Sequence, residues 1–246
     1  MKNKLPELIL NQSAMFLDFD GTLVDLQPTP DAVVVTEQLR NLLTTLDSKT
    51  NHALAIISGR SIESLDKLLR LPLLLMGGSH GMQFRKVPFG DIVIHPDVTP
   101  LPDKLMSQCK AFCENNQLLW EAKPLSSAIH YRNNPKLEIK IDEYLDTLVH
   151  QYSGVNIQRG KYIRELKPKG VNKASALEFF MQNHHFTHKT PWYFGDDTTD
   201  EDAFSWVKQH NGIAVKVGEG ETIADYHLQS PQDVFSFLSS SLYCEE

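Results

Sequence analysis

The sequence predicts an α/β fold: a doubly wound parallel sheet, interrupted by a smaller α+β insert. Three observations predict it. Short apolar runs are unbroken rather than alternating, and each ends in a polar or glycine-rich cluster. Such runs suit parallel strands buried on both faces. Helical spacing separates them, and strand–helix alternation argues for a doubly wound sheet. The middle of the chain breaks this rhythm.

The elements follow in order. Ala14-Met15-Phe16-Leu17 is the first strand and runs into Asp18-Phe19-Asp20-Gly21-Thr22. Leu39, Leu42, Leu43 and Leu46 fall at helical spacing. Ala53–Ile57 is a strand that ends in Ser58-Gly59-Arg60. Ile62, Leu65, Leu68 and Leu69 form a helix after Ser61. Leu73–Met76 is a strand running into Gly77-Gly78-Ser79-His80-Gly81. The expected insert covers 84–166, between core segments 1–83 and 167–246. It carries strand-like runs at Ile92–Ile94, Leu118–Trp120, Ala128–Tyr131, Val155–Ile157 and Tyr162-Ile163, with helical stretches near 102–116 and 136–152. The core resumes with a helix after Asn172, the strand Trp192–Phe194, a helix after Asp200 and the strand Ile213–Val215.

Composition narrows the function classes. The 246 residues are 41% hydrophobic and 22% charged, which excludes disorder, collagen and a coiled coil for the whole chain. A net charge of −7 lacks the footprint of a nucleic-acid binder, and no basic stretch would hold an anionic membrane. An anionic substrate is therefore drawn by a local site. Cys109, Cys113 and Cys244 give neither a disulfide framework nor a zinc site. The apolar part of the N-terminus is too short for a signal-peptide core, and no run approaches a membrane span. The expected location is the cytoplasm.

The chemistry concentrates at the strand ends. Asp18 and Asp20 sit one residue apart after a buried strand, where like charges repel unless a cation is present. A divalent metal with oxygen ligands, Mg²⁺, resolves that repulsion. One carboxylate then serves as nucleophile and the other as general acid. Ser58-Gly59-Arg60 offers a hydroxyl and backbone N–H groups as a phosphate cradle; taken alone, the favoured reading is the lead-in to a helix capped at Ser61. Lys173 alone is an ordinary lysine near a helix start. Gly195-Asp196-Asp197-Thr198-Thr199-Asp200-Glu201-Asp202 follows an aromatic strand and brings a further carboxylate toward Asp18. His80 either reaches the site or satisfies its glycine-rich turn.

Together, Asp18-Phe-Asp-Gly-Thr, Ser58, Lys173 and Gly195-Asp-Asp-Thr-Thr-Asp resemble the four motifs of the haloacid dehalogenase (HAD) phosphatases. The insert resembles their C2-type cap. Ile57-Ser-Gly-Arg60, Gly78-Ser-His-Gly81, His130-Tyr-Arg132, Glu165, Pro168–Lys173 and Gly195–Phe204 resemble the trehalose-6-phosphate phosphatases. One departure is Leu166-Lys167, where such enzymes often carry an arginine before the proline.

The resemblance implies Mg²⁺-dependent hydrolysis of trehalose 6-phosphate, alongside a trehalose-6-phosphate synthase. It implies Asp18 as nucleophile, Asp20 as general acid and base, and Lys173 and Ser58 as holders of the phosphoryl oxygens, with Gly59 and Arg60 in the same loop. Asp18, the Asp20 backbone carbonyl and Asp196 would hold the metal. Asp197 and Asp200 would lie behind them, Asp200 orienting Lys173 or the metal waters. Cap residues Glu121, Lys123, His130, Arg132 and Glu165 would choose the sugar, the alternative being a salt-bridged outer sheet face. The competing functions are the same chemistry on sucrose phosphate or mannosyl-phosphoglycerate, a phosphomutase, and a non-catalytic sugar-phosphate sensor.

Overall fold

A computed structural model describes residues 4–160 and 162–243; Cys244 lies outside the described residues. In chain order the elements are β1 (Ser13–Leu17), α1 (Glu37–Lys49), β2 (Leu54–Ile57), α2 (Ile62–Leu69), β3 (Leu75–Gly78), β4 (Gln83–Arg85) and β5 (Ile92–Ile94). Next come α3 (Asp103–Asn115), β6 (Leu119–Ala122), β7 (Ser127–His130), α4 (Glu138–Val149), β8 (Val155–Gly160) and β9 (Ile163–Pro168). The chain closes with α5 (Lys173–Met181), β10 (Thr190–Gly195), α6 (Glu201–Gln209), β11 (Ile213–Val217), β12 (Tyr226–Leu228) and α7 (Pro231–Ser241). They group into two units, Met1–His95 with Asn172–Glu246, and Pro96–Val171.

The first unit holds an eight-stranded sheet in the order β12-β11-β10-β1-β2-β3-β4-β5. The first six strands are parallel; β4 and β5 add antiparallel at the edge. Every residue of β1 and β2 is buried, so neither strand needs a polar face. Alternate side chains enter two separate cores. Met15, Leu17, Leu54, Ile56 and Phe194 pack with the leucines of α1 and α2 and with Val234 and Leu238 of α7. Phe16, Ala55, Ile57 and Tyr193 pack with Ala176, Leu177 and Phe180 of α5 and Phe204 of α6. Helices on both faces make this the expected doubly wound sheet.

Local chemistry starts the helices where the sequence allows. Thr36 and Ser61 cap α1 and α2 by accepting from the backbone N–H three residues on. Asn172 and Ser175 form a reciprocal box that fixes the first turn of α5. Chain winding reverses at β1, whose neighbours β2 and β10 lead to opposite halves of the sheet. In open α/β sheets, ligands sit beyond the carboxyl ends of the strands at that reversal.

The insert differs from the expected 84–166. Ile92–Ile94 belongs to the large sheet, because β4 turns back on β3 and β5 on β4. At the other end β9 continues to Pro168. The second unit is therefore 96–171, a four-stranded antiparallel sheet in the order β6-β7-β9-β8. Ile129, Tyr131, Ile157 and Leu166 pack against Leu105, Cys109 and Cys113 of α3 and Ile141, Leu145 and Leu148 of α4. The register aligns Glu121, Ala128, Glu165 and Gln158 in one row across the sheet. Pleating sends that row to the face opposite the core. Among the described residues, no helix is long and apolar enough to cross a membrane.

Candidate functional site

The site forms where β1 and β10 end side by side. Asp18 is the first residue beyond β1, and its N–H donates to Phe194 O at 2.9 Å. Gly21, at φ +78°, follows; a Cβ there would meet Asp196 Oδ2 at 2.0 Å. Glycine thus lets the Asp196 carboxylate tuck against the main chain beyond Asp18.

Lys173 opens α5 and is buried with the carboxylates. Its Nζ donates to Asp18 Oδ1 at 2.8 Å and to Asp200 Oδ1 at 2.6 Å. Asp200 is fully enclosed and saturated: Oδ1 also accepts from Tyr193 OH at 2.5 Å, and Oδ2 accepts from the N–H groups of Asp196 and Asp197 at 3.1 and 2.9 Å. It fixes both the lysine and the acidic loop. Asp197 caps its own turn, accepting from Thr198 N at 2.7 Å.

The electrostatics follow from burial. Burial pushes the Asp18 carboxyl well above the usual carboxylate range, Lys173 pulls it back, and Asp200 and Asp196 push it up again. Burial, then the charge of Asp200, raise Asp196 to about 6. Burial works to lower Lys173, but Asp18 and Asp200 outweigh it and hold the ammonium charged. One oxygen from each of Asp18, Asp196 and Asp200 lies within 4.8 Å of the others. This all-oxygen, strained set fits a hard divalent cation. Because Asp200 is saturated, Asp18 and Asp196 are the side chains able to hold it.

Asp20 faces elsewhere. Its oxygens accept from Arg60 Nε at 2.6 Å and Arg60 Nη2 at 2.7 Å, with the guanidinium over the Phe19 ring. Its carboxylate is therefore outside the acidic cluster, and any part Asp20 takes in holding a metal falls to its backbone carbonyl. Ser58, Gly59 and Arg60 follow β2; Arg60 N donates to the Ser58 hydroxyl at 3.1 Å.

The remaining candidates lie in the second unit. Glu165 is buried and accepts from Ser126 Oγ at 2.5 Å and Lys123 Nζ at 2.9 Å. His130 Nε2 and Glu121 Oε2 are 2.8 Å apart on the same sheet face, and the Arg132 guanidinium stands 5.9 Å from the Tyr162 ring. These contacts form an ion pair, Lys123–Glu165, and a histidine–carboxylate pair, His130–Glu121, on one face of the sheet, and of the five candidates Glu165 is the buried one.

Two participants escaped the sequence reading. Tyr193 holds Asp200 from inside β10. Lys216 is buried in β11 and donates to Asp196 O at 2.5 Å and Val217 O at 2.8 Å. A lysine inside the apolar run Ile213–Val217 was the available signal for the second; an aromatic strand conceals the first.

Residues 16–232 match the trehalose-phosphatase family. The chain is 34% identical over 230 residues to the trehalose-6-phosphate phosphatase of Escherichia coli (strain K12), covering 92% of this chain and 85% of that protein. Its fold is similar to the C-terminal domain of the C. albicans trehalose-6-phosphate phosphatase, with a TM-score of 0.81 and 24% identity over 96% of this chain and 97% of that one. A haloacid dehalogenase-like hydrolase from Bacteroides thetaiotaomicron shares the fold at TM-score 0.70 and 17% identity, over 92% of this chain and 98% of that one.

Proposed function

The chain belongs to the trehalose-phosphatase family, and from that membership we propose that it hydrolyses trehalose 6-phosphate to trehalose and inorganic phosphate in the cytoplasm. The observation that carries the chemistry is the buried Asp18–Lys173–Asp200 chain of contacts. It supports a nucleophilic carboxylate presented beside a fixed ammonium, in a pocket that already favours added positive charge.

In this reading Asp18 attacks phosphorus in line. The P–O bond to the sugar breaks, and an aspartyl-phosphate forms. Asp20 protonates the departing sugar oxygen, since an alkoxide is a poor leaving group. It then takes a proton from the water that hydrolyses the aspartyl-phosphate. Lys173 and Ser58 hold phosphoryl oxygens, because phosphoryl transfer relies mainly on positioning and charge neutralisation. Mg²⁺, held by Asp18, the Asp20 backbone carbonyl and Asp196, would supply charge neutralisation for the phosphoryl group. Asp200 acts through Lys173 and the acidic loop. Before acting, Asp20 must leave the bidentate grip of Arg60.

Sugar choice is assigned to the insert, on Glu165, Lys123, Glu121, His130 and Arg132. A sugar is recognised by a few well-placed polar groups, and the row through Glu121 and Glu165 offers them. A trehalose-6-phosphate synthase would supply the substrate.

Phosphate release from a panel of sugar phosphates tests the reading, with Mg²⁺ and with excess EDTA. The expected result is kcat/KM for trehalose 6-phosphate at least about 100-fold above glucose 6-phosphate, a difference of roughly 2.7 kcal/mol, and loss of turnover in EDTA. Equal efficiency on both, or a preference for sucrose phosphate, would contradict the substrate assignment. Full turnover after chelation would contradict the metal.

A further inference from the structure

The turn after β3 holds strained backbone. Ser79 and His80 stand at φ 51° and 56°, and Gly81 follows at 91°. Two consecutive side-chain-bearing residues in the left-handed region are costly, and such outliers cluster at ligand sites. Glycine would carry no such cost at position 80. A histidine there points to a use for the ring.

The turn is bonded to the loop after β2. Ser79 N donates to Arg60 O at 2.7 Å, and His80 N donates to Ser58 O at 2.9 Å. Ser79 Oγ and Ile62 N both donate to Gln83 Oε1 at 3.2 Å, tying the turn to the start of α2. The imidazole lies on Gly59: a Cβ at that position would meet His80 Cε1 and Nε2 at 2.6 Å. The Nε2 edge of the ring therefore rests on the middle residue of the Ser58–Arg60 loop, and the residue is only half-buried. Any side chain at position 59 would push the ring away.

We infer that His80 contacts the substrate's phosphoryl group, its Nε2 edge joining Ser58 and Lys173 around the phosphoryl oxygens. This rests on the reading of Ser58–Arg60 as the phosphoryl cradle. A nitrogen donor there adds a charge-assisted hydrogen bond to the dianion.

The test uses H80G and H80N, which suit the left-handed backbone and remove the imidazole. Inorganic phosphate is the probe, as a competitive inhibitor and by calorimetry, with the melting temperature read in parallel. Both variants should still fold, read as a cooperative melting transition. Both should bind phosphate roughly 10- to 100-fold more weakly, as expected for one lost hydrogen bond to a charged group. KM should rise by a similar factor for the sugar phosphate and for a small aryl phosphate, which share only the phosphoryl group. G59A, which displaces the ring, should reproduce the loss. Wild-type phosphate affinity in H80G or H80N would overturn the inference. So would failure of both to fold, since the imidazole would then belong to the architecture. S58A separates the premise: unchanged phosphate binding there would remove the cradle itself, whereas a wrong sugar assignment would leave every phosphate result intact.

Discussion

Among the described residues, Lys173 is the cation within hydrogen-bond reach of Asp18 and Asp200. Removing one partner of a buried charge pair leaves the other uncompensated, at about 3–5 kcal/mol. Lys173→Met should therefore lower the unfolding free energy by about that amount in denaturant titrations, and adding Asp18→Asn should recover part of it. Additive losses would show that the pair is not coupled. In the proposed function Glu165 bonds a sugar hydroxyl, and losing a buried hydrogen bond of that kind costs about 1–3 kcal/mol. Glu165→Ala should thus reduce kcat/KM for trehalose 6-phosphate roughly 5- to 150-fold and spare an aryl phosphate. An equal fall on both substrates would make Glu165 structural, through its bonds to Ser126 and Lys123. The meeting of Asp18 and Asp196 was legible because carboxylates at adjacent strand ends are chemically conspicuous, whereas the turn of Asp20 toward Arg60 was not. Nor was the saturation of Asp200, because its partners besides Lys173 are two backbone N–H groups and a tyrosine in the preceding strand.

At the scale of elements, unbroken apolar runs identified β1, β2 and β10, since a strand buried on both faces has no polar positions to spare. The same property misplaced β5. Ile92–Ile94 would suit either sheet, and only its pairing with β4 assigns it to the large one. Three-residue β12, Tyr226–Leu228, is too short to carry a pattern. Helix α3 was expected, and it buries both of its thiols. Burial, with Cys113 beside it, raises Cys109 to about 12; burial and Glu114 raise Cys113 to about 11. The neutral thiols are favoured in the folded state, so their contribution to stability is whole below about pH 8.5. It is lost as pH rises through 11 and 12. At pH 8 a disulfide reagent should leave both thiols unmodified in the native protein and react with them in denaturant. Rapid labelling of Cys109 or Cys113 in the native protein, read by peptide mass, would show that α3 opens.

Over the whole molecule, a chain of net charge −7 must accept a phosphate dianion, so the attraction has to be local. Lys173, the Ser58 loop and a bound cation provide it in the proposed function. The acidic cluster also sets a pH dependence. Asp196, raised to about 6 by burial and Asp200, favours the fold when protonated. That contribution is whole below the ordinary carboxylate range and lost as pH rises through about 6. Mg²⁺ should consequently raise the melting temperature more at pH 7.5 than at pH 5, where it must displace protons; an equal shift at both would place the cation elsewhere. The most direct measurement on the account as a whole is acid-quenched peptide mass spectrometry of Asp20→Asn after mixing with Mg²⁺ and an aryl phosphate. That leaving group needs no proton, while hydrolysis of the covalent state still needs Asp20. One phosphoryl group is expected on the peptide containing Asp18, absent when Asp18→Asn is added. Steady turnover with that peptide unmodified, or turnover that survives Asp18→Asn, would contradict it.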